Sequence, residues 1–298
     1  MKTFKYLLNI SILFLLISSV SLWVVNVSYK NELDLFKMVM LDVGQGDSIL
    51  IKTPDNYYGL IDAGKGDKVL EELPKYLPFG FRELEFVLLT HPDADHIEGF
   101  INILNNYKIN NVFIQKTSKD NELISEIINL IQRKGIKNYS LLDINDFKLN
   151  GVSFDILWPK DNLINLTEES NDTSIGIIIS YQDLDIYTAG DLSAENELKS
   201  IKDVDILKDV DILKVGHHGS RTSTNEEFLM LIKPEISLIS VGLNNRYGHP
   251  DKEILQNLEN IGSKIYRTDQ MGSIEIIYLD NSIKITTSTG FENLFSLK

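Results

Sequence analysis

His91-Pro92-Asp93-Ala94-Asp95-His96 follows the apolar run Phe86-Val87-Leu88-Leu89-Thr90 and precedes Ile97-Glu98-Gly99-Phe100. The apolar run reads as a buried strand and the segment after the turn as the start of a helix. Four ligand-type side chains therefore project from one strand-to-helix turn. Pro92 has no N–H to offer a sheet ladder, so the strand ends there. His91 and Asp93, two residues apart, point the same way in extended chain. Asp95 falls where a helix N-cap belongs, and His96 opens the first helical turn. Two imidazoles and two carboxylates so close together can hold one metal ion or two adjacent ones. A merely solvated acidic turn would be an odd place for two of the five histidines in the chain.

Three further clusters stand at the ends of expected strands, where an active site of such a sheet gathers its residues. In Tyr187-Thr188-Ala189-Gly190-Asp191-Leu192 an apolar strand runs into a glycine, a carboxylate and a helix. Asp191 can bridge two metal ions there, or cap the helix expected from Ala194. Lys214-Val215-Gly216-His217-His218-Gly219-Ser220 is again a strand leading into a glycine-rich turn. Its flanking glycines let a substrate approach the backbone. Arg246-Tyr247-Gly248-His249-Pro250 follows a strand expected over 236–241. Every histidine of the chain thus falls in one of three strand-exit turns.

The chain has 298 residues, 43% of them hydrophobic and 24% charged, an ordinary globular composition. It has no cysteine, which excludes disulfides, thiolate zinc sites and cysteine nucleophiles. Any metal must be held by histidine and oxygen. A net charge of −14 argues against a surface that coats nucleic acid, but not against a local basic groove.

Lys2 and Lys5 precede an uncharged, apolar stretch over residues 6–27. About 20 apolar residues span a bilayer, so residues 1–30 are expected to hold an uncleaved transmembrane anchor. The alternative is a signal peptide, to which Ser19-Val20-Ser21 is a poor match. The two lysines would keep the N-terminus in the cytoplasm and place the catalytic domain outside the cell membrane, single-pass, or secreted after cleavage. After a linker over residues 28–34, residues 35–290 read as one domain. Hairpins at both ends with strand–helix alternation between them suggest two sheets covered by helices. Lys202 to Leu207 is repeated at once as Lys208 to Leu213, too short for a structural repeat.

The six-residue turn resembles the HxHxDH signature of the metallo-β-lactamase superfamily, with aspartate for the second histidine. It occurs beside Leu41-Asp42-Val43-Gly44-Gln45-Gly46-Asp47-Ser48, Asn171-Asp172-Thr173-Ser174, Gly190-Asp191, the His217-His218 turn, Asn245-Arg246-Tyr247-Gly248-His249-Pro250 and Tyr266-Arg267-Thr268-Asp269. Together these are similar to the extracytoplasmic hydrolase domain of ComEC, the DNA-uptake channel of natural competence, over roughly 35–287. ComEC carries a many-helix channel region, whereas this sequence holds at most one spanning segment, so it resembles the stand-alone relatives of that domain.

The resemblance implies an α/β fold, a four-layer αβ/βα sandwich. It implies two divalent ions: His91 and Asp93 on one, Asp95, His96 and His249 on the other, Asp191 between them. Asn171 stands about where the superfamily has a third histidine. Trading imidazoles for a carboxylate and an amide hardens the site, from zinc toward manganese or magnesium. Asp95 belongs to the catalytic group. His217 or His218 would stabilise or protonate the leaving group, with Ser220, Arg221 and Lys214 nearby, while Asp42 and Asp47 would orient ligand histidines.

The leading expectation is a phosphodiesterase or nuclease that uses a metal-activated water. Its substrate would be single-stranded DNA or a nucleotide, with DNA-uptake proteins as partners. Hydrolysis of a lactone, amide or thioester on the same scaffold is the second enzyme reading. A non-catalytic binding module is the third, against which the intact aspartates and all five histidines speak.

Overall fold

Short apolar runs pair into two mixed sheets in the computed structural model, which describes residues 14–20, 35–114, 121–141, 146–159, 170–202 and 210–297. The first strands are β1 (Lys37–Met40), β2 (Ile49–Lys52), β3 (Tyr58–Ile61), β4 (Glu83–Leu89), β5 (Lys108–Ile114) and β6 (Lys137–Ser140). Then come β7 (Asp146–Leu149), β8 (Val152–Trp158), β9 (Gly176–Tyr181), β10 (Leu184–Thr188), β11 (Ile212–Lys214), β12 (Ile236–Ile239) and β13 (Lys264–Arg267). The chain closes with β14 (Ile274–Leu279), β15 (Ser282–Thr287) and β16 (Glu292–Ser296). One sheet has nine strands in the order β16-β15-β14-β1-β2-β3-β4-β5-β6, the other seven in the order β13-β12-β11-β10-β9-β8-β7.

Strand β4 shows why the sheets stack. Phe86 and Leu88 enter the core between the sheets, while Val87 and Leu89 enter a second core on the outer face. A strand covered on both faces reads as a continuous apolar run. Phe86 meets Phe154 of the facing sheet, ring centroids 5.2 Å apart. The outer face of the nine-stranded sheet is covered by α2 (Lys68–Glu72), α4 (Gly99–Asn106) and α5 (Glu122–Lys134); a helical stretch over 14–20 is α1, and α3 is Ala94–Ile97. Ile124, Ile127 and Ile131 give α5 one buried stripe, and its ends are fixed by the Asn121 cap and left-handed Gly135. Helices α6 (Ala194–Ile201), α7 (Glu226–Ile232) and α8 (Lys252–Asn260) cover the seven-stranded sheet through Phe228, Leu229 and Leu258; the last helix, α9, is Thr268–Met271. The four-layer sandwich is present.

The membrane placement is corrected. Among the described residues no helix is long and apolar enough to cross a membrane. Of the expected span over 6–27 only residues 14–20 are described, as α1, and the rest lies outside the described residues. The tandem repeat likewise falls largely outside them, over 203–209. Helix α2 stops at Glu72, and Leu73–Tyr76 tighten into a 3-10 turn with Pro74 at its start. Proline has no amide N–H for an α-helical bond and crowds the preceding turn. The nine-stranded sheet runs past 290, because β16 pairs antiparallel with β15.

Candidate metal centre

Strands β3 and β4 run parallel in one sheet, β10, β11 and β12 in the other. Their carboxyl ends meet at one edge of the sandwich, together with the turn between β1 and β2. That turn needs its glycine. A Cβ on Gly46 would lie 2.0 Å from the Asp95 carbonyl oxygen, to which the neighbouring Asp47 amide donates at 3.3 Å. The two loops therefore interlock through backbone, at a distance only glycine permits.

His96, fully buried, stands at the centre. Its Nδ1 lies 2.8 Å from Asp62 Oδ2, and its Nε2 is 3.2 Å from Asp191 Oδ1 without the alignment of a hydrogen bond. The His91 ring is 4.1 Å away, centroid to centroid. His91 Nε2 lies 3.8 Å from Asp93 Oδ2. His218 Nε2 is 3.6 Å from Asp95 Oδ2 and 3.6 Å from Asp191 Oδ2, while its Nδ1 bonds the Ser240 carbonyl at 2.9 Å. His217 Nε2 also stands 3.6 Å from Asp191 Oδ2, with 27% of its side chain exposed, so it faces the mouth of the site. Both His217 and His218 have positive φ, at 47° and 55°. Left-handed backbone at non-glycine residues is strained, by roughly 1–3 kcal/mol each, and persists only where the surroundings impose it.

Among the described residues, ligand atoms gather within 4.8 Å in His91–His96–Asp191, Asp95–His96–His218, Asp47–Asp191–His218 and Asp47–Asp62–His96. The donors suit a cation on a second ground. His91 Nε2, His96 Nε2, His218 Nε2 and Asp191 Oδ1 are buried with no hydrogen-bond partner. An unsatisfied buried polar atom costs about 1–3 kcal/mol, so four at one point mark a place built for something that they bind together.

Several sequence expectations change in detail. Asp93, not Asp95, takes the N-cap position of α3, with Asp95 inside the first turn. His218 stands with Asp95 and His96 where His249 was expected. The His249 ring is 5.9 Å from His217, stacks 5.8 Å from Tyr247, and belongs to none of the four clusters. Asp42 turns instead to Lys68, at 3.0 Å, and to the Gly44 amide. Lys214, expected as a cation near the reacting group, is fully buried, pairs with Asp47 and donates to the Gly190 carbonyl at 3.1 Å. Arg221 is exposed and 4.0 Å from Asp251. Ser220 Oγ bonds Thr222 Oγ1 at 3.0 Å, and Asn171 opens the 3-10 turn Asn171–Thr173 ahead of β9.

Charge explains how the carboxylates stay ionised. Burial works against Asp191, but His218 and then His96 outweigh it and hold its carboxyl well below the ordinary range. His218 and then His96 likewise lower the Asp95 carboxyl against burial. Burial also opposes the Asp47 carboxylate, and Lys214 and His218 overcome it. Burial, helped by His96, drives His91 down to about 3, so its ring is neutral, and its buried Nε2 has no hydrogen-bond partner. Against burial, Asp191 and Asp47 push His218 up to about 9; a cation bound here would take the place of that proton.

Two buried residues went unnamed in the sequence. Asp62 accepts from the Thr90 amide at 2.9 Å and the Thr90 hydroxyl at 2.6 Å as well as facing His96. Its position at the exit of β3, before Ala63-Gly64, is the same signal that marked Asp191. Glu197 of α6 accepts from the Thr224 amide and from its hydroxyl, while the Thr224 hydroxyl accepts from the Gly216 amide beside His217. No sequence spacing marks Glu197, because its partners come from a loop that reaches it only in the fold.

The profile described as "Metallo-beta-lactamase superfamily" matches residues 41–242. The chain is 30% identical over 263 residues to "ComE operon protein 3" of Bacillus subtilis (strain 168), covering 80% of this chain and 32% of that protein. It is 26% identical over 235 residues to "Competence protein ComA" of Neisseria gonorrhoeae, covering 78% and 31%. It thus spans less than a third of these curated relatives. The metallo-beta-lactamase fold protein YhfI from Bacillus subtilis superposes with a TM-score of 0.55 at 11% identity, over 80% of this chain and 99% of that one, a likeness of fold.

Proposed function

The chain belongs to the metallo-β-lactamase superfamily, and from that premise we propose that it is a phosphodiesterase acting on nucleic acid or a nucleotide. The family makes it a metal-dependent hydrolase in general terms; the donor set supports the phosphate reading. Asp93, Asp95 and Asp191 stand against His91, His96 and His218, with no thiolate anywhere in the chain. Oxygen-rich sites favour manganese or magnesium over zinc, and such hard cations suit phosphoryl oxygens.

His91 with Asp93, and Asp95 with His96 and His218, would hold the two ions, with Asp191 turned to both groups. When bound, two divalent ions supply an acidified water and positive charge for the attacking and leaving oxygens. The protein's own part is orientation. Asp62 takes the Nδ1 side of His96 and so fixes its Nε2 toward Asp191. Lys214 ties Asp47 to the Gly190 carbonyl, locking the β1–β2 turn to the Asp191 loop. His217, held neutral because burial lowers its pKa, stands at the mouth with Thr222 Oγ1 at its Nδ1, placed to pass a proton to or from the reacting oxygens.

Relatives named for competence support a nucleic-acid substrate. The net charge of −14 favours a nucleotide, or a single strand delivered by DNA-uptake proteins, over a chain that must capture long DNA itself. The test is hydrolysis of bis-p-nitrophenyl phosphate and a single-stranded oligonucleotide by the full chain, chelated and reloaded with manganese, magnesium or zinc, beside lactone and thioester panels. Turnover of the phosphodiesters, highest with manganese, is expected. Turnover confined to lactones or thioesters would replace the phosphodiester reading.

A further inference from the structure

The loop after β12 exposes two large apolar side chains within five residues, Leu243 at 73% and Tyr247 at 53%. Exposed apolar side chains are usually scattered singly and carry no meaning. This pair sits on a pinned loop. The Asn245 side chain donates to the Gly242 and His249 carbonyls at 3.1 and 2.7 Å and accepts from the His249 amide at 3.0 Å. Asn244 and Gly248 turn the chain with positive φ, 55° and 75°. The tip is therefore held in one shape with its aromatic ring displayed.

That ring is coupled to the metal centre by contact. Tyr247 lies nearly parallel to His249, 13° between planes, and His249 touches His217, whose Nε2 is 3.6 Å from Asp191 Oδ2. The Arg246 guanidinium stands 4.9 Å from the Tyr247 centroid and donates to its hydroxyl at 2.8 Å. Arg246 is fully exposed and close enough to feel the Asp95 charge. An aromatic ring with a guanidinium over it, two rings from the candidate metal centre, offers a stacking platform for a base and a site for the phosphoryl group attached to it. Stacking of a base on such a surface tolerates any sequence and adds cation–π attraction from arginine.

We propose that Tyr247 and Arg246 form a nucleobase-stacking subsite for a nucleoside ester whose phosphoryl group would sit at the candidate metal centre beside His217. The assignment rests on the phosphodiester reading and narrows it to nucleoside esters. It also accounts for how so acidic a chain retains such a substrate, since stacking does not depend on net charge.

Binding can be read without catalysis. The probe is a short oligothymidylate carrying one 2-aminopurine, joined by uncharged methylphosphonate links that avoid repulsion from the carboxylates. With the full chain under chelator, binding should quench the 2-aminopurine fluorescence. Tyr247→Ala should weaken binding by roughly 5- to 150-fold, the loss of one base–aromatic stack, and Tyr247→Phe should retain it. With metal restored, the kcat/KM ratio of thymidine 5′-(p-nitrophenyl phosphate) to methyl p-nitrophenyl phosphate should fall by a similar factor in Tyr247→Ala, through KM. A wild-type chain that does not quench the probe, or a Tyr247→Ala chain that quenches it equally well, would overturn the subsite. Absence of hydrolysis beside normal quenching would instead remove the phosphodiester reading and leave the subsite standing.

Discussion

Asp62 Oδ2 lies 2.8 Å from His96 Nδ1, inside the sandwich where neither atom meets water. The contact decides which nitrogen His96 presents to the carboxylates at the sheet edge. A histidine whose other nitrogen is held in this way binds metal in one tautomer and one orientation. Asp62→Ala should lower divalent-metal affinity by about 10- to 100-fold while the chain stays folded. Isothermal titration with manganese measures this. Unchanged affinity would mean that packing alone orients the ring.

Lys214 and Asp47 form a buried ion pair that also anchors the Gly190 carbonyl. Removing one partner of such a pair strands the other charge, at a cost of about 3–5 kcal/mol. Lys214→Met should lose that much stability in denaturant melts. Adding Asp47→Asn to the same chain should restore a substantial part, because no bare carboxylate then remains. Equal stability of Lys214→Met and wild type would contradict the pairing.

Gly46 is fixed by the Asp95 carbonyl that a Cβ would meet at 2.0 Å. Gly46→Ala must push the β1–β2 turn off the metal loop, at a cost of roughly 1–3 kcal/mol or more by overpacking. Metal affinity should fall with it, because Asp95 moves too. A variant with wild-type melting temperature and affinity would show that the loops separate freely.

Glu197 sets a pH dependence of stability. Burial pushes its carboxyl up to about 8, against hydrogen bonds from Thr224 that favour the ionised form. The folded chain therefore keeps this proton over a range in which the unfolded chain has released it. The resulting stabilisation is complete below the ordinary glutamate value and is lost as pH rises through about 8. Glu197→Gln, which keeps an acceptor for the Thr224 amide and cannot ionise, should lose this slope and gain on wild type as pH rises from the ordinary glutamate value to about 8. Denaturant melts at a series of pH values check it, and parallel curves for the two chains would refute it.

Much of the site was legible because strand ends are legible. The apolar run before His91, the run before Gly190-Asp191 and the run before His217 each became a strand that ends at one edge, β4, β10 and β11. Strands β7 and β16 were not legible, since each is a short hairpin edge only partly buried, and in β16 the exposed positions include Leu294. That His218 rather than His249 stands with Asp95 and His96 was hidden for another reason. Spacing shows which turn carries a histidine, but which ring points inward depends on left-handed backbone at His217 and His218. Glu197 was missed because its role comes from a partner 27 residues away, whereas Asp62 carried the strand-exit signal that marked Asp191.

The central claim is a two-ion site that acts on phosphodiesters, and one titration tests it most directly. The full chain is stripped with chelator, and manganese is returned in measured equivalents while bis-p-nitrophenyl phosphate hydrolysis is followed, with Asp191→Asn in parallel. Activity should rise to a plateau at two equivalents per chain in the wild type and remain near background in the variant. A plateau at one equivalent, or equal activity in Asp191→Asn, would contradict the paired site, and no hydrolysis at any loading would contradict the phosphodiesterase.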